Sequence, residues 1–256
     1  MIWAICKNTW NQCLASRVRL GILCLVWIAP ILQNTISLCV QHVFPEALYS
    51  QSNSVALLVL IVGSGCIGSQ LNDGTLSLTL SRPLTVAQYV MSKWFAVFVA
   101  SSVAALSQLA AEVLVSLTRT PALINPADVL TNGAERVILC VGLSAVLILL
   151  SSLVSGVKDL AFFLVLSMVA SLCVGIGQLK VDDVPAGWPQ LAVSVLCPVC
   201  YHIGQAGNFI LGPMVDLSSL ANIPWSVVAS YFAVIATFLS LAIFSLNRRE
   251  LPYGAE

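Results

Sequence analysis

Apolar residues in this 256-residue chain gather into runs of bilayer length, and the residues between the runs are polar, charged or turn-forming. Six runs stand out: Leu20 to His42, Ser54 to Leu71, Trp94 to Leu117, Val137 to Val154, Leu160 to Leu179 and Val227 to Leu246. Each is close to the roughly 20 residues that carry an α-helix across a hydrocarbon core. Gly, Asn, Asp and Pro concentrate in the intervals, where turns are expected. A membrane β-barrel does not fit, because Val137 to Val141 and Ala145 to Leu150 lack the alternation that a strand with one polar face requires.

Ahead of the first run, Trp3, Cys6, Trp10, Cys13 and Leu14 recur at helical spacing, with Lys7, Asn8, Asn11 and Gln12 opposite. This predicts an interfacial elbow helix within residues 1–19. A cleavable signal is the competing reading of a basic N-terminus before an apolar run. The run from Leu20 is too long for a typical signal core and no small-x-small site follows it, so the segment is expected to stay as the first span.

Composition sharpens the class. Hydrophobic residues make up 59% of the chain and charged residues 9%, with a mean hydropathy of +0.96, where soluble domains carry about 25% charged residues. The expected fold is an all-α integral membrane protein with six transmembrane helices. Lys7, Arg17, Arg19, Arg82, Lys93, Lys158, Arg248 and Arg249 fall on one side of the spans, against Arg119, Arg136 and Lys180 on the other. Positive loops stay inside, so both termini are expected in the cytoplasm and the chain in the inner (cytoplasmic) membrane. The net charge is zero, which gives no footprint for nucleic acid and leaves the lipid bilayer as the first partner.

The inner loop between the second and third runs, residues 73–93, is the most informative segment. It reads Asn72-Asp73-Gly74-Thr75-Leu76-Ser77-Leu78-Thr79-Leu80-Ser81-Arg82-Pro83, then Tyr89 and Lys93-Trp94. Asp73-Gly74 is a turn pair that ends the second helix, and Pro83 breaks the chain again while suiting the first turn of a short surface helix from Leu84 to Val90. The segment resembles the cytoplasmic loop of permease subunits of ABC transporters of the ABC-2 type (type V exporters), where an acidic-Gly-Thr-Leu turn leads through Leu-Ser-Arg-Pro to Tyr and Lys-Trp. Ser69, Gln70 and Asn72 are neutral where such permeases often carry Glu or Arg, and Thr85, Val86 and Ala87 stand where an arginine often follows.

That resemblance implies a dimerising permease, paired with a second copy or a paralogue. It implies that ATP hydrolysis, with its ATP and Mg, belongs to a separate cytoplasmic ABC ATPase subunit. It also implies a coupling helix in this loop, with Asp73, Gly74, Arg82, Pro83, Tyr89 and Lys93 as the ATPase-coupling positions. No catalytic residue is expected in the chain itself. Gly63-Ser64-Gly65-Cys66-Ile67-Gly68-Ser69 has the glycine spacing of a phosphate loop, but Ser69 and Gln70 occupy the places of the required Lys and Ser/Thr. Ser64 and Gly68, four apart, are read instead as a close-packing pair.

Within the third run, Glu112 is an acid well inside an apolar stretch, on one helical face with Ser101, Ala105, Gln108 and Ser116. Intramembrane acids face protein or water. Gln108 and Glu112 are therefore candidates for lining a substrate path, and the alternative for Glu112 is an ion pair with Arg119 or Arg136. Outside, residues 184–215 hold an apolar stretch from Leu191 to Cys197 that Pro198 interrupts. The resemblance implies re-entrant helices there, and a seventh span from Leu191 to Leu211 is the competing reading.

Cys197, Cys200 and His202 form a C-x-x-C with a nearby imidazole, a weak candidate for a disulfide or soft-metal site. His42 and His202 fit no hydrolase pattern. Besides the permease, a second class of function stays open: a self-contained secondary carrier or a membrane assembly or maturation factor, metal- or thiol-linked. A carrier would be expected to show interrupted helices at corresponding positions of two related halves.

Overall fold

A computed structural model describes residues 2–39, 53–74, 84–119, 125–154, 158–177, 188–213, 215, 217 and 225–248, and no strand occurs among them. Nine helices carry these residues: α1 (Ile2–Ala15), α2 (Arg17–Cys39), α3 (Asn53–Gly63), α4 (Gly68–Asn72), α5 (Val86–Arg119), α6 (Pro126–Leu153), α7 (Lys158–Gly177), α8 (Trp188–Leu211) and α9 (Trp225–Arg248). Among the described residues, five stretches are long and apolar enough to cross a membrane, with α3 and α4 together forming one, and a sixth is present if the bent pair α1–α2 counts. The chain is a multi-pass membrane protein in this sense.

Local chemistry explains several of the helix ends. α1 and α2 meet at Ser16, whose Oγ accepts from Arg19 N–H at 3.4 Å, and the two helices turn through 85°. α6 begins at Pro126 because Asn125 caps it, its side chain accepting from Ala127 N–H at 3.2 Å, with Pro at the first position and Asp128 in the first turn. The fourth span thus starts eleven residues before the expected Val137. Gly133, in the stretch before Val137, sits inside the helix close to Leu109 and Leu106 of α5.

α6 is the central helix. Buried residues run along it from Leu139 to Ser152, and apolar clusters on its two sides join it to α3, α5 and α9. In the apolar stretch of α6, 72% of residues are buried within the chain, against 17% for α7 and 22% for α9. Most of the surface of α7 and α9 is therefore left to lipid or to a partner. In lipid the apolar surface itself gives no drive to associate, so the core is held by close packing and buried hydrogen bonds.

α8 runs without a break through Pro198 and packs antiparallel to α7. This replaces the expectation of helices broken at Pro198. A Cβ on Gly204 would stand 2.6 Å from the Val174 backbone nitrogen, so glycine is what lets the two helices approach. Beyond α8, Pro213 lies against Gly142 midway along α6, and Leu217 N–H donates to Glu135 Oε1 at 2.9 Å, back toward the start of α6. Early in α9, the Tyr231 hydroxyl donates to the Ile138 carbonyl at 2.7 Å.

Candidate coupling site at the loop end of the bundle

The second apolar run folds as two helices. α3 stops at Gly63, residues 64–67 form a turn, and α4 resumes at Gly68. Ser64 and Gly68 are therefore part of a break and not a straight packing face. Gly65 adopts φ +66°, a left-handed conformation that costs a residue with a side chain about 1–2 kcal/mol.

A helix interrupted among apolar neighbours exposes backbone N–H groups that the protein itself must satisfy. Gly65 N–H donates to Asp159 Oδ2 at 2.7 Å. The N–H groups of Ile67 and Gly68 both donate to Ser151 Oγ, at 3.0 and 2.9 Å. Asp159 is fully buried in the first turn of α7, where its Oδ1 accepts from Leu160 N–H at 2.8 Å and the helix dipole favours its charge. Ser151 comes from the last turn of α6. The break is thus a junction where α4 is fastened to α6 and α7.

From α4 the chain enters the loop through Asp73 and Gly74, both exposed, and Gly74 again takes φ +66°. Arg82 and Pro83 lie outside the described residues. The chain returns at Thr85, where the Thr85 Oγ1 accepts from Gln88 N–H at 3.2 Å and the Gln88 side-chain oxygen accepts from Thr85 N–H at 3.3 Å. This reciprocal capping box starts α5 at Val86. The short surface helix expected from Leu84 to Val90 is instead the first part of a 34-residue helix that continues to Arg119.

Tyr89 and Lys93 are buried one turn apart on that helix. The Tyr89 hydroxyl donates to Gln70 Oε1 of α4, and Gln70 Nε2 lies 3.5 Å from Gln12 Oε1 of α1. The Lys93 ammonium stands 5.8 Å from the centre of the Tyr89 ring and has no hydrogen-bond acceptor among the described residues. α1 lies alongside: Cys6 Sγ donates to the Ser92 carbonyl at 3.4 Å and Trp10 Nε1 to the Ala96 carbonyl at 2.9 Å. Of the six positions implied by the resemblance, Asp73 and Gly74 are exposed, while Tyr89 and Lys93 are placed to hold the stem of the loop and not to touch another protein.

Gln108 and Glu112 lie farther along α5 and are fully buried. Pro30 in α2 lacks the N–H that would bond the Val26 carbonyl, and Gln108 Nε2 supplies the missing donor, at 3.3 Å from Val26 O and 3.0 Å from Trp27 O. Ser54 Oγ donates to Gln108 Oε1 at 3.5 Å, so one side chain joins α2, α3 and α5. Glu112 Oε2 accepts from Arg136 of α6 at 2.7 Å, a buried ion pair. Both residues make helix–helix contacts within the chain, and Glu112 Oε1 has no hydrogen-bond partner among the described residues.

Cys197 and Cys200 are free thiols on α8; Cys197 Sγ donates to the Ile176 carbonyl at 3.3 Å, and His202 is exposed beside Tyr201. Among the described residues no group of three His, Cys, Asp or Glu side chains could hold a metal ion. Sequence reasoning missed Ser151, Asp159 and Gln70. A signal for one was present: Asp159 directly precedes the predicted span from Leu160, where an acid favours the start of a helix. Comparison with known proteins finds no matching family profile and no matching curated protein.

Proposed function

We propose that the chain is the membrane-spanning permease subunit of an ABC transporter of the ABC-2 type, coupling ATP hydrolysis by a separate subunit to movement of a substrate. The observation that carries this reading is the seating of the loop. The two stems of the loop, α4 with Asp73 and Gly74 on one side and the start of α5 on the other, are joined by Tyr89 and Gln70, and they are fastened to α1, α6 and α7 through Gln12, Ser151 and Asp159. A push on such a loop moves α4 and the start of α5 together, and displaces the three helices attached to them. That is the connection a coupling element needs.

In this reading α1 is the elbow ahead of the first span, and α7 and α9, with little of their surface covered, face lipid or the second permease. α8 would be part of the re-entrant element of such a permease, a reading supported by Pro213 against Gly142 and by the Leu217 N–H on Glu135. Asp73 and Gly74, with Arg82 and Pro83 in the same loop, meet the ATPase. Tyr89 and Lys93 carry the motion inward.

A secondary carrier is the second reading, and the interrupted α3–α4 span favours it, since broken helices build carrier sites. Its freed N–H groups are already consumed by Asp159 and Ser151. Pull-down of the tagged chain in mild detergent, with mass photometry, separates the two. A stoichiometric P-loop ATPase in a two-plus-two complex is expected. A chain recovered alone, under conditions that keep a control transporter whole, would sink the permease reading.

A further inference from the structure

A crevice of about 380 Å³ lies between α2, α3 and α5, beside the corner that α1 makes with α2. Its size falls within the range of about 300–1,000 Å³ typical of small-ligand sites. Leu23, Ile61, Ala100 and Val103 represent its walls, and every lining residue except Trp10 and Arg19 is aliphatic. The Trp10 indole N–H is already bonded to the Ala96 carbonyl. Arg19 is then the one charged residue of the lining, and it has no ion-pair partner among the described residues.

Position along the chain fixes how the crevice sits in the membrane. Arg19 directly precedes Leu20, where the first apolar run begins, so its charge belongs at the headgroup level while Leu23, Ile61 and Val103 line the part that extends into the apolar layer. Val103 is 63% exposed in the middle of an apolar helix, which opens the crevice sideways to the hydrocarbon. An occupant must be a long apolar chain with a negative charge at one end.

We propose that this crevice binds one acyl chain of an anionic phospholipid, with the lipid phosphate on Arg19. The inference rests on membrane embedding alone and stands whether or not the chain is a permease. Basic residues at the membrane surface recognise anionic headgroups, and Arg pairs with phosphate through two parallel hydrogen bonds.

The test uses the full chain reconstituted in an equimolar mixture of dioleoylphosphatidylglycerol and dioleoylphosphatidylcholine, then released for native mass spectrometry. One phosphatidylglycerol per chain should be retained, in about fivefold preference over phosphatidylcholine. Arg19→Gln should abolish the preference and Arg19→Lys should keep most of it, with thermal unfolding unchanged in both. Val103→Trp, at an exposed position where a larger side chain is tolerated, should lower retention of either lipid. Equal retention of the two lipids by the parent chain, or an unaltered preference in Arg19→Gln, would overturn the proposal. A parent dimer that retains no lipid and falls apart in Val103→Trp would overturn it too, by assigning the crevice to a second copy.

Discussion

The two ends of the bundle solve the problem of buried polarity in opposite ways. Toward the start of α6, Glu112 and Arg136 close on each other at 2.7 Å, charge against charge, between two long helices. At the loop end the work is done by dispersed contacts. Asp159 and Ser151 take three backbone N–H groups of the helix break, Tyr89 and Gln70 join two helices, and Lys93 keeps a buried ammonium with no acceptor among the described residues. A single strong pair either holds or fails, whereas a set of weaker bonds around a helix break can yield in part. The difference marks the first end as a clamp and the loop end as the part suited to move.

The comparison breaks most sharply at the clamp. Arg136→Ala leaves Glu112 buried without its cation and should cost about 3–5 kcal/mol, unfolding the chain in detergent well below the parent. A thiol-reactive dye reading the buried free thiols of Cys66 and Cys140 reports the transition. Glu112→Leu with Arg136→Met should recover most of the loss, because an apolar pair of similar size avoids the desolvation of both charges. If the double variant melted as low as Arg136→Ala alone, the pair would be more than a clamp.

Ser151→Ala comes next. It strips the acceptor from the N–H groups of Ile67 and Gly68, at about 1–3 kcal/mol for the orphaned donors, and the effect should be local. Hydrogen exchange should rise across residues 64–74 while α6 keeps its protection. Uniform loss of protection along the chain would mean that the break is as much a part of the core as the clamp, and the contrast between the ends would disappear. A smaller effect is expected at Gln108→Leu, about 0.6–1.7 kcal/mol in the same thermal assay, the range for hydrogen bonds between membrane helices. It removes the donor that covers Val26, and α2 should loosen around Pro30 first.

Hydropathy made the spans legible because bilayer thickness sets their length directly: α5 and α9 contain the expected runs with only their ends extended, and α7 covers the fifth run up to Gly177, where the described residues stop. It failed where the third dimension decides. The glycine stretch from Gly63 to Gly68 could be read as packing or as a failed phosphate loop, yet its break depends on Ser151 and Asp159, more than eighty residues away in sequence. The Thr85 and Gln88 capping box is legible as T-x-x-Q, two residues beyond the Pro83 break from which the helix start is expected. Glu112 announced itself as a buried acid and its partner was one of two named arginines. For Gln108 the polar face was plain, but its real target, a carbonyl freed by Pro30 in another helix, has no sequence signature. The loop motif located Tyr89 and Lys93 without revealing that α1 and α4 enclose them.

Lys93→Met separates fold from function at the loop end. A methionine keeps most of the apolar stem and removes an ammonium that the described residues leave without an acceptor, so stability should change by no more than about 1 kcal/mol, with the gain and not the loss expected. Lysine is a poor choice for such a position on packing grounds alone. If the loop works as the coupling element, its charge must act when the loop moves, and Lys93→Met should hydrolyse ATP with its partner subunit yet transport poorly. Arg136→Ala would behave differently, losing hydrolysis and transport together as the chain unfolds. A Lys93→Met chain that is destabilised as severely as Arg136→Ala would show the ammonium to be an ordinary structural tie, and the two ends of the bundle would then differ in geometry only.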